Sequence, residues 1–228
     1  MVCSNTELKK SIEKWNKNVV VSLDYLQNEY KFVKKDYSIN GKMKLLWEGQ
    51  GVVLRHFLFY KDLFEQLNSF CELHIITSKK YPTYGNLKQD DVTKITEKLP
   101  IKTIVHQWDQ VKNADIFQAC DCGIIPLNKK NLLGWHKPAN KLISFWFSGL
   151  PTVVSDTPAY KEIMNAAGQN LACSNINDWI GKITFIKTMT PEERENFSKR
   201  NFEFVQLHYS NEALDKVWQE IFSHVIAS

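Results

Sequence analysis

The sequence lacks several features that would assign it directly to a class of protein. In its 228 residues no uninterrupted apolar run approaches the length of about 20 residues that a membrane-spanning helix needs. The first ten residues are polar and contain no signal-peptide core. No repeat or low-complexity segment is present. These absences favour a globular protein of the cytoplasm, either free or peripheral at the inner face of the membrane.

The few cysteines and the small excess of positive over negative charge do not define a site. The five cysteines have no repeated spacing, and the Cys120-x-Cys122 pair has no second pair or nearby histidine that would complete a metal site. We therefore expect structural thiols in a reducing compartment, no metal and no cofactor. The net charge of +4 is too small to indicate a nucleic-acid partner, although it would help to attract a phosphorylated ligand.

What the sequence does contain is a regular alternation of short apolar runs with helical patterns. Hydrophobic residues make up 43% of the chain, enough for a substantial core. The predicted strands are residues 43–47, 73–77, 103–106, 122–126 and 152–155. The predicted helices are residues 54–69, 91–99, 111–119, 137–147, 159–165, 192–207 and 211–225. This alternation predicts an α/β fold, a Rossmann-like doubly wound parallel sheet with helices on both faces and extra C-terminal helices.

The N-terminal residues and two helix starts carry signals of their own. Residues 1–41 combine a short helix, a β-rich run and a charged linker, so we expect a boundary between them and a main domain of residues 42–228. Thr157 and Thr190 each precede a proline, which predicts helix N-caps, and Glu193 would complete a capping box with Thr190.

A glycine-bearing loop follows the first predicted strand of the main domain. Gly49, Gln50 and Gly51 lie where a backbone without side chains can approach a phosphate, and Arg55 would add charge. Leu54 stands where the fingerprint G-x-G-x-x-G requires its third glycine, which argues against a dinucleotide-dependent oxidoreductase. A tight turn without a ligand is the alternative interpretation of the same glycines.

A second loop leads into the helix predicted at residues 137–147. Lys137 and Lys141 bring two cations to the N-terminal end of this helix, and Asn140 lies between them. Cations are unfavourable at this end of an isolated helix, whose free backbone N–H groups attract anions. A bound diphosphate would explain the two lysines, and two solvated side chains are the alternative.

The segment from Lys137 to Asp156, K-P-A-N-K-L-I-S-F-W-F-S-G-L-P-T-V-V-S-D, resembles the donor-binding segment of GT-B glycosyltransferases, particularly those that build bacterial surface polysaccharides. Residues 45–49 and 114–127 match the strand, glycine loop and helix that precede this segment in the family. The resemblance implies a metal-independent transferase that moves a sugar from a nucleotide-diphosphate donor to a glycan or lipid-linked acceptor.

The resemblance also implies roles for individual residues. The residues expected at the donor diphosphate are Gly49, Gln50, Gly51, Arg55, Lys137, Asn140 and Lys141. Those expected around the base, ribose and sugar of the donor are Trp108, Ser144 and Glu162. His136 and Ser144 stand where many retaining members carry glutamates, which makes His136 the catalytic candidate. A loop histidine without a catalytic role is the alternative.

A complete GT-B enzyme has two Rossmann-like domains, and residues 1–41 are too few to form one of them. The resemblance therefore implies that they are the tail of an N-terminal acceptor lobe, supplied by the same gene or by another chain. We expect the isolated chain to bind the donor and to be inactive by itself. Two other functions stay open: a non-catalytic nucleotide-sugar-binding or regulatory module, and a sugar-nucleotide epimerase of the same fold.

Overall fold

A computed structural model describes residues 1–23, 33–83, 86–128, 130 and 132–226. The strands are β1 (Val2–Cys3), β2 (Val20–Val21), β3 (Met43–Glu48), β4 (Cys71–Thr77), β5 (Lys80–Thr83), β6 (Asn86–Asp91), β7 (Thr103–Gln107), β8 (Cys122–Ile125), β9 (Thr152–Ser155) and β10 (Ala172–Cys173). The α-helices are α1 (Thr6–Ile12), α2 (Lys61–Leu67), α3 (Thr93–Thr96), α4 (Asn113–Ala119), α5 (Leu132–Trp135), α6 (Asn140–Phe147), α7 (Pro158–Ala166), α8 (Ile176–Thr188), α9 (Pro191–Tyr209) and α10 (Asn211–Ile226).

Six of the strands form one sheet in the order β10-β9-β8-β3-β4-β7, and all neighbouring pairs in it are parallel. From β3 the chain proceeds outward through β4 to β7, then returns to the other side of β3 and continues through β8 to β10. This reversal creates a topological switch point between β3 and β8. The predicted Rossmann-like fold with additional C-terminal helices is confirmed.

Aromatic side chains hold the helical layers on the two faces of this sheet. Trp47 of β3 lies edge to face against Phe57, with ring centroids 5.5 Å apart, and Phe57 stacks on Phe64 of α2. On the opposite face Phe117 of α4 meets Phe145 of α6 edge to face at 5.2 Å. Burial of these rings removes large apolar areas from water, which stabilises both layers.

The close seating of α6 on the sheet depends on a glycine. A Cβ atom added to Gly123 of β8 would lie 2.3 Å from the ring of Phe145, so the absence of a side chain lets α6 approach the strand. The first turn of α6 is thereby fixed relative to the carboxyl ends of β3 and β8. This is the helix that begins three residues after Lys137.

Several elements differ from their predicted bounds. The helix predicted at residues 54–69 is a 3₁₀ segment, Gly51–Tyr60, followed by α2, and the β-branched Val52 and Val53 disfavour an α-helical start. The helix predicted at residues 91–99 is only the four-residue α3, because its first residue ends the hairpin of β5 and β6. The sequence reasoning missed this hairpin and also α8, which Asn175 caps by accepting from the N–H of Asp178.

The N-terminal residues pack against the main domain. Strands β1 and β2 pair with each other in parallel, and α1 connects them along the chain, so this segment is a small βαβ unit. The side-chain amide of Asn5 donates to the carbonyl of His136 at 2.8 Å, and the hydroxyl of Tyr37 donates to the carbonyl of Gly149 at 2.9 Å. The predicted boundary after residue 41 stays a prediction, and the part of the predicted linker before residue 33 lies outside the described residues.

All five cysteines are buried, and none of them forms a disulfide. Burial raises the pKa of Cys71 and of Cys120 to about 12, and it raises the pKa of Cys122 well above its ordinary value. These thiols are therefore protonated at neutral pH. Within the described part of the chain, no group of three or more His, Cys, Asp or Glu side chains is arranged to hold a metal ion.

The C-terminal helices lie across the sheet layer. Helix α9 packs on α6 through the edge-to-face pairs Trp146–Phe204 and Phe147–Phe202, and α10 follows against α9. Among the described residues no helix combines the length and the apolar character needed to cross a bilayer.

The two predicted threonine caps differ in outcome. Thr190 forms the capping box with Glu193: its Oγ1 accepts from the N–H of Glu193 at 3.2 Å, and Oε2 of Glu193 accepts from the N–H of Thr190 at 2.7 Å. Thr157 is the N-cap residue of α7 and Pro158 follows it at the first helical position, as predicted, but the expected side-chain hydrogen bond is absent. The Thr157 hydroxyl is fully buried and has no hydrogen-bond partner among the described residues.

We expect Thr190→Ala to lower the free energy of unfolding by about 0.5–2 kcal/mol, since the hydrogen bond from the N–H of Glu193 to the Thr190 hydroxyl is lost. Thr157→Val is the matched change, because it removes a buried hydroxyl without altering shape, and we expect it to be neutral or stabilising. Urea denaturation monitored by circular dichroism measures both. An equal loss of stability in the two variants would contradict the assignment of the caps.

A chain of polar side chains joins β4 to the edge strand β7. The ring nitrogens Nδ1 of His74 and Nε2 of His106 are 2.9 Å apart, and Nε2 of His74 lies 3.1 Å from the carboxylate of Glu72. Lys102 donates to the other Glu72 oxygen at 2.7 Å, which is the main reason why the pKa of Glu72 is lowered. Burial, the ring of His74 and the charge of Lys79 lower the pKa of His106.

The lowered pKa of His106 makes stability depend on pH. The unfolded chain, with an ordinary histidine pKa of about 6.5, binds more protons than the folded chain, so stability falls as pH decreases through about 6.5 toward the folded pKa. We expect His106→Gln to weaken this fall in melting temperature between pH 7.5 and pH 5.5, and His208→Gln, an exposed position on α9, to leave it unchanged. Identical pH profiles for His106→Gln and the wild type would refute the assignment.

Candidate functional site

An open pocket of ≈ 510 Å³ lies at the carboxyl ends of β3, β4 and β7. Its lining residues are Trp47, Glu48, Gly49, Gln50, Val53, Ser78, Trp108, Lys137 and Lys141. The first five follow or end β3, Ser78 follows β4 and Trp108 follows β7. Since the switch point lies beside β3, this is the position where open α/β sheets bind ligands.

Lys141 is the most constrained cation of this pocket. From the first turn of α6, its ammonium group donates to the backbone carbonyl of Glu48 and lies 3.3 Å from the Glu48 carboxylate. The same group lies 5.3 Å from the ring centroid of Trp47, within the range of a cation–π interaction. Three contacts therefore hold the Lys141 charge at the mouth of the switch point.

Lys137 adds a second positive charge just before α6. Burial lowers the pKa of Lys137, and the charge of Lys141 lowers it further, so two like charges face the same space. His56, which sequence reasoning did not single out, is also nearby: burial and the charge of Lys137 lower its pKa. Nδ1 of His56 accepts from the N–H of Asn128 at 3.3 Å, which links the 3₁₀ segment to the loop after β8. The concentration of positive charge favours an anionic ligand.

The glycine loop has a different geometry at each of its residues. Gly49 lines the pocket with φ +156°, but its N–H donates to the carbonyl of Ile76 at 3.1 Å and so extends the sheet. Gln50 lines the pocket as well. Gly51 is buried behind the pocket wall, where a Cβ atom would lie 2.5 Å from the ring of Tyr81. The loop therefore lets a ligand approach the backbone at Gly49 and Gln50, whereas Gly51 leaves room for the ring of Tyr81.

Arg55 and Trp108 differ in their relation to the pocket, since only Trp108 lines it. Arg55 is not among the lining residues and lies 3.6 Å from the carboxylate of Asp90, with 56% of its side chain exposed. Trp108 lines the pocket beyond β7, and its N–H donates to the carbonyl of Thr77. Asn140 begins α6, between the two lysines along the chain, but it is not among the lining residues.

The other predicted residues are not brought together at this pocket. The hydroxyl of Ser144 donates to the carbonyl of Asn140, one turn earlier in α6, at 3.0 Å. Nδ1 of His136 is buried and has no hydrogen-bond partner among the described residues. Glu162 of α7 accepts from the hydroxyl of Thr6 at 2.7 Å and lines a separate cavity of ≈ 130 Å³ beside the N-terminal unit.

Glu48 and Ser78 are pocket residues that sequence reasoning did not weigh. Glu48 belongs to the run of residues 45–49 that matches the family. Its position directly before Gly49 was the sequence signal that could have identified it as a pocket residue. Ser78 follows a fully buried strand by one residue, which is the same position relative to its strand that Trp108 has. The position directly after a strand therefore predicts a pocket residue for both Ser78 and Trp108.

Gly49 has no room for a side chain. A Cβ atom there would lie 2.9 Å from the ammonium nitrogen of Lys141 and 3.0 Å from the ring of Trp47, and its φ lies in the region that favours glycine.

We expect Gly49→Ala to destabilise the protein by about 1–3 kcal/mol and to displace Lys141 from Glu48. Gly168→Ala is a suitable control, because Gly168 also has a positive φ of 65° but has open space around it. Thermal unfolding measures both, and a chemical-shift change at the Trp47 indole that is confined to Gly49→Ala reports the displacement. A smaller loss of stability for Gly49→Ala than for Gly168→Ala would contradict the crowding.

The class to which this fold belongs follows from solved structures. No protein-family model and no curated protein sequence matches the chain. Its fold matches that of GT-B glycosyltransferases over almost its whole length, which confirms the resemblance at the level of the fold.

Three of these structures illustrate the match. A glycosyltransferase from Rickettsia africae ESF-5 has a TM-score of 0.72 at 11% identity, over 99% of this chain and 63% of the other. Sucrose-phosphate synthase from Thermosynechococcus elongatus gives 0.68 at 13%, over 99% and 58%. S. aureus TarM, in a complex that contains UDP, gives 0.65 at 14%, over 97% and 43%. The chain therefore spans about half the length of these proteins, and identities this low show a shared fold alone.

Proposed function

We propose that this chain supplies the donor-binding half of a glycosyltransferase. It holds a nucleotide-diphosphate sugar at the ≈ 510 Å³ pocket, with Lys137 and Lys141 at the diphosphate. The observation that carries the proposal is the position of these two lysines at the switch point of a GT-B fold, beside the first turn of α6. Backbone N–H groups of that turn and two cations stabilise the charge of a leaving nucleoside diphosphate without a metal ion.

The size and walls of the pocket suit a nucleotide. Pockets for small ligands commonly enclose about 300–1,000 Å³. Trp108, at the end of β7, offers an aromatic surface to a base, and Gln50 and Ser78 offer polar groups. TarM, which shares the fold, is recorded with UDP bound, so a uridine diphosphate is the first ligand to test.

The acceptor half lies outside the proposed role of this chain. We propose that a further lobe, from the same gene or from another chain, binds the glycan or lipid-linked acceptor. The βαβ unit of residues 1–23 packs against α7, where the hydroxyl of Thr6 donates to Glu162.

A second candidate function is a donor-binding module without catalysis. The observation that favours it is the bond that ties the Ser144 hydroxyl to its own helix. The family resemblance implies carboxylates at the positions of His136 and Ser144. A coupled assay for release of UDP from UDP-sugars separates the candidates when it is applied to the chain alone and to the chain with its acceptor lobe. Release only in the presence of the lobe supports the transferase, and no release with either supports the module.

Removal of either pocket lysine should weaken binding of UDP. We expect Lys137→Ala and Lys141→Ala each to raise the dissociation constant by about 10-fold or more, since hydrogen bonds to charged groups contribute about 1.5–3 kcal/mol. Isothermal titration calorimetry with UDP, GDP and CMP measures this effect and reports the preferred base.

Lys199→Ala is the control, because it removes the same charge from an exposed position of α9. Its dissociation constant should equal that of the wild type. The proposed function would be contradicted if the wild-type chain bound none of the three nucleotides. It would also be contradicted if the two lysine variants bound as tightly as the Lys199→Ala control.

A further inference from the structure

The charges that line the pocket are of both signs. Lys137 and Lys141 are positive, and among the described lining residues Glu48 is the only acidic one. A carboxylate repels a diphosphate, so its presence in a pocket for an anion needs a separate explanation. A nucleotide offers one, because its ribose carries two adjacent hydroxyl groups at a distance from the phosphates.

The position of Glu48 leaves part of its carboxylate available. Glu48 ends β3, and its register partner in β4 is Ile76, so its backbone is fixed in the centre of the sheet. Oε2 lies 3.3 Å from the ammonium group of Lys141, and the side chain is 19% exposed toward the pocket. Within the described residues Oε1 accepts no hydrogen bond. An ionised carboxylate accepts hydrogen bonds at both oxygens, so Oε1 can take them from a ligand.

Other pocket groups are weaker acceptors for hydroxyl groups. Ser144, one turn beyond Lys141 on α6, is not among the lining residues, and its hydroxyl donates to the Asn140 carbonyl. Trp108 has only an N–H donor on its side chain, and Ser78 is neutral. Glu48 is therefore the strongest acceptor on this part of the wall, and the bond from Lys141 orients its carboxylate.

We propose that Glu48 binds the ribose hydroxyls of the nucleotide and thereby fixes the direction in which the donor lies. This inference rests on the proposed function, since it names the contact that selects a ribonucleotide at the same pocket. Lys141 stands between the two ends of the ligand. Its ammonium group is bound to Glu48 on one side and contributes its remaining N–H to the diphosphate on the other.

The test compares UDP with 2′-deoxy-UDP and 3′-deoxy-UDP by isothermal titration calorimetry. We expect the wild type to bind UDP about 10-fold or more tightly than at least one deoxy analogue, because a hydrogen bond to a carboxylate is lost. In Glu48→Gln we expect this ratio to fall to about 3-fold or less, and in Glu48→Asp to lie between the two. The ratio of the dissociation constants isolates the hydroxyl contact, because a displacement of Lys141 would weaken the binding of all three ligands to the same extent.

Glu203→Gln is the matched control, because it removes the same charge from an exposed position of α9, and it should keep the wild-type ratio. Circular dichroism verifies that each variant is folded, and the wild-type ratio alone tests the proposal if Glu48→Gln does not fold. Equal affinity of the wild type for UDP and both analogues, or an unchanged ratio in Glu48→Gln, overturns the assignment of Glu48 and leaves the proposed function standing. Absence of nucleotide binding by the wild type overturns both.

Discussion

The structure depends on the pairing of β3 with a parallel neighbour on each side. Leu45 pairs with Leu73 of β4 and with Cys122 of β8, so the chain must leave β3 in one direction and return on the other. Parallel strands place their carboxyl ends at one edge, and the reversal opens that edge between two groups of loops. The pocket, the glycine loop and the first turn of α6 all occupy the opening. The contact of Lys141 with Glu48 ties its two sides together.

The fold was predictable because its signals are local. Each predicted strand of the main domain is present, since a run such as residues 73–77 is mostly apolar and is buried at every position. Thr190 and Glu193 identify a helix start from four consecutive residues. The hairpin of β5 and β6 was missed because Lys80, Asp90 and Asp91 make its strands polar. The 3₁₀ segment was missed because its apolar spacing also fits an α-helix.

The site was only partly predictable, because side-chain partners are chosen by tertiary contacts. Lys137, Lys141, Trp108, Gly49 and Gln50 do line one pocket. Arg55 follows the same loop but forms an ion pair with Asp90 of the hairpin. Glu162 accepts a hydrogen bond from Thr6, which is 156 residues away along the chain. No spacing rule reports such pairs. The amide of Gly49 is likewise committed to Ile76, which only the register of the sheet reveals.

The burial of all five thiols makes the folded chain nearly inert to alkylating reagents, because it raises the pKa of Cys71 and Cys120 and keeps the sulfur atoms from solvent. Cys71 and Cys122 lie in the central strands, whereas Cys3 lies in the N-terminal βαβ unit. The rate at which each thiol is labelled therefore reports how often its own region opens. The native cysteines form a built-in set of probes that distinguish detachment of the N-terminal unit from unfolding of the sheet.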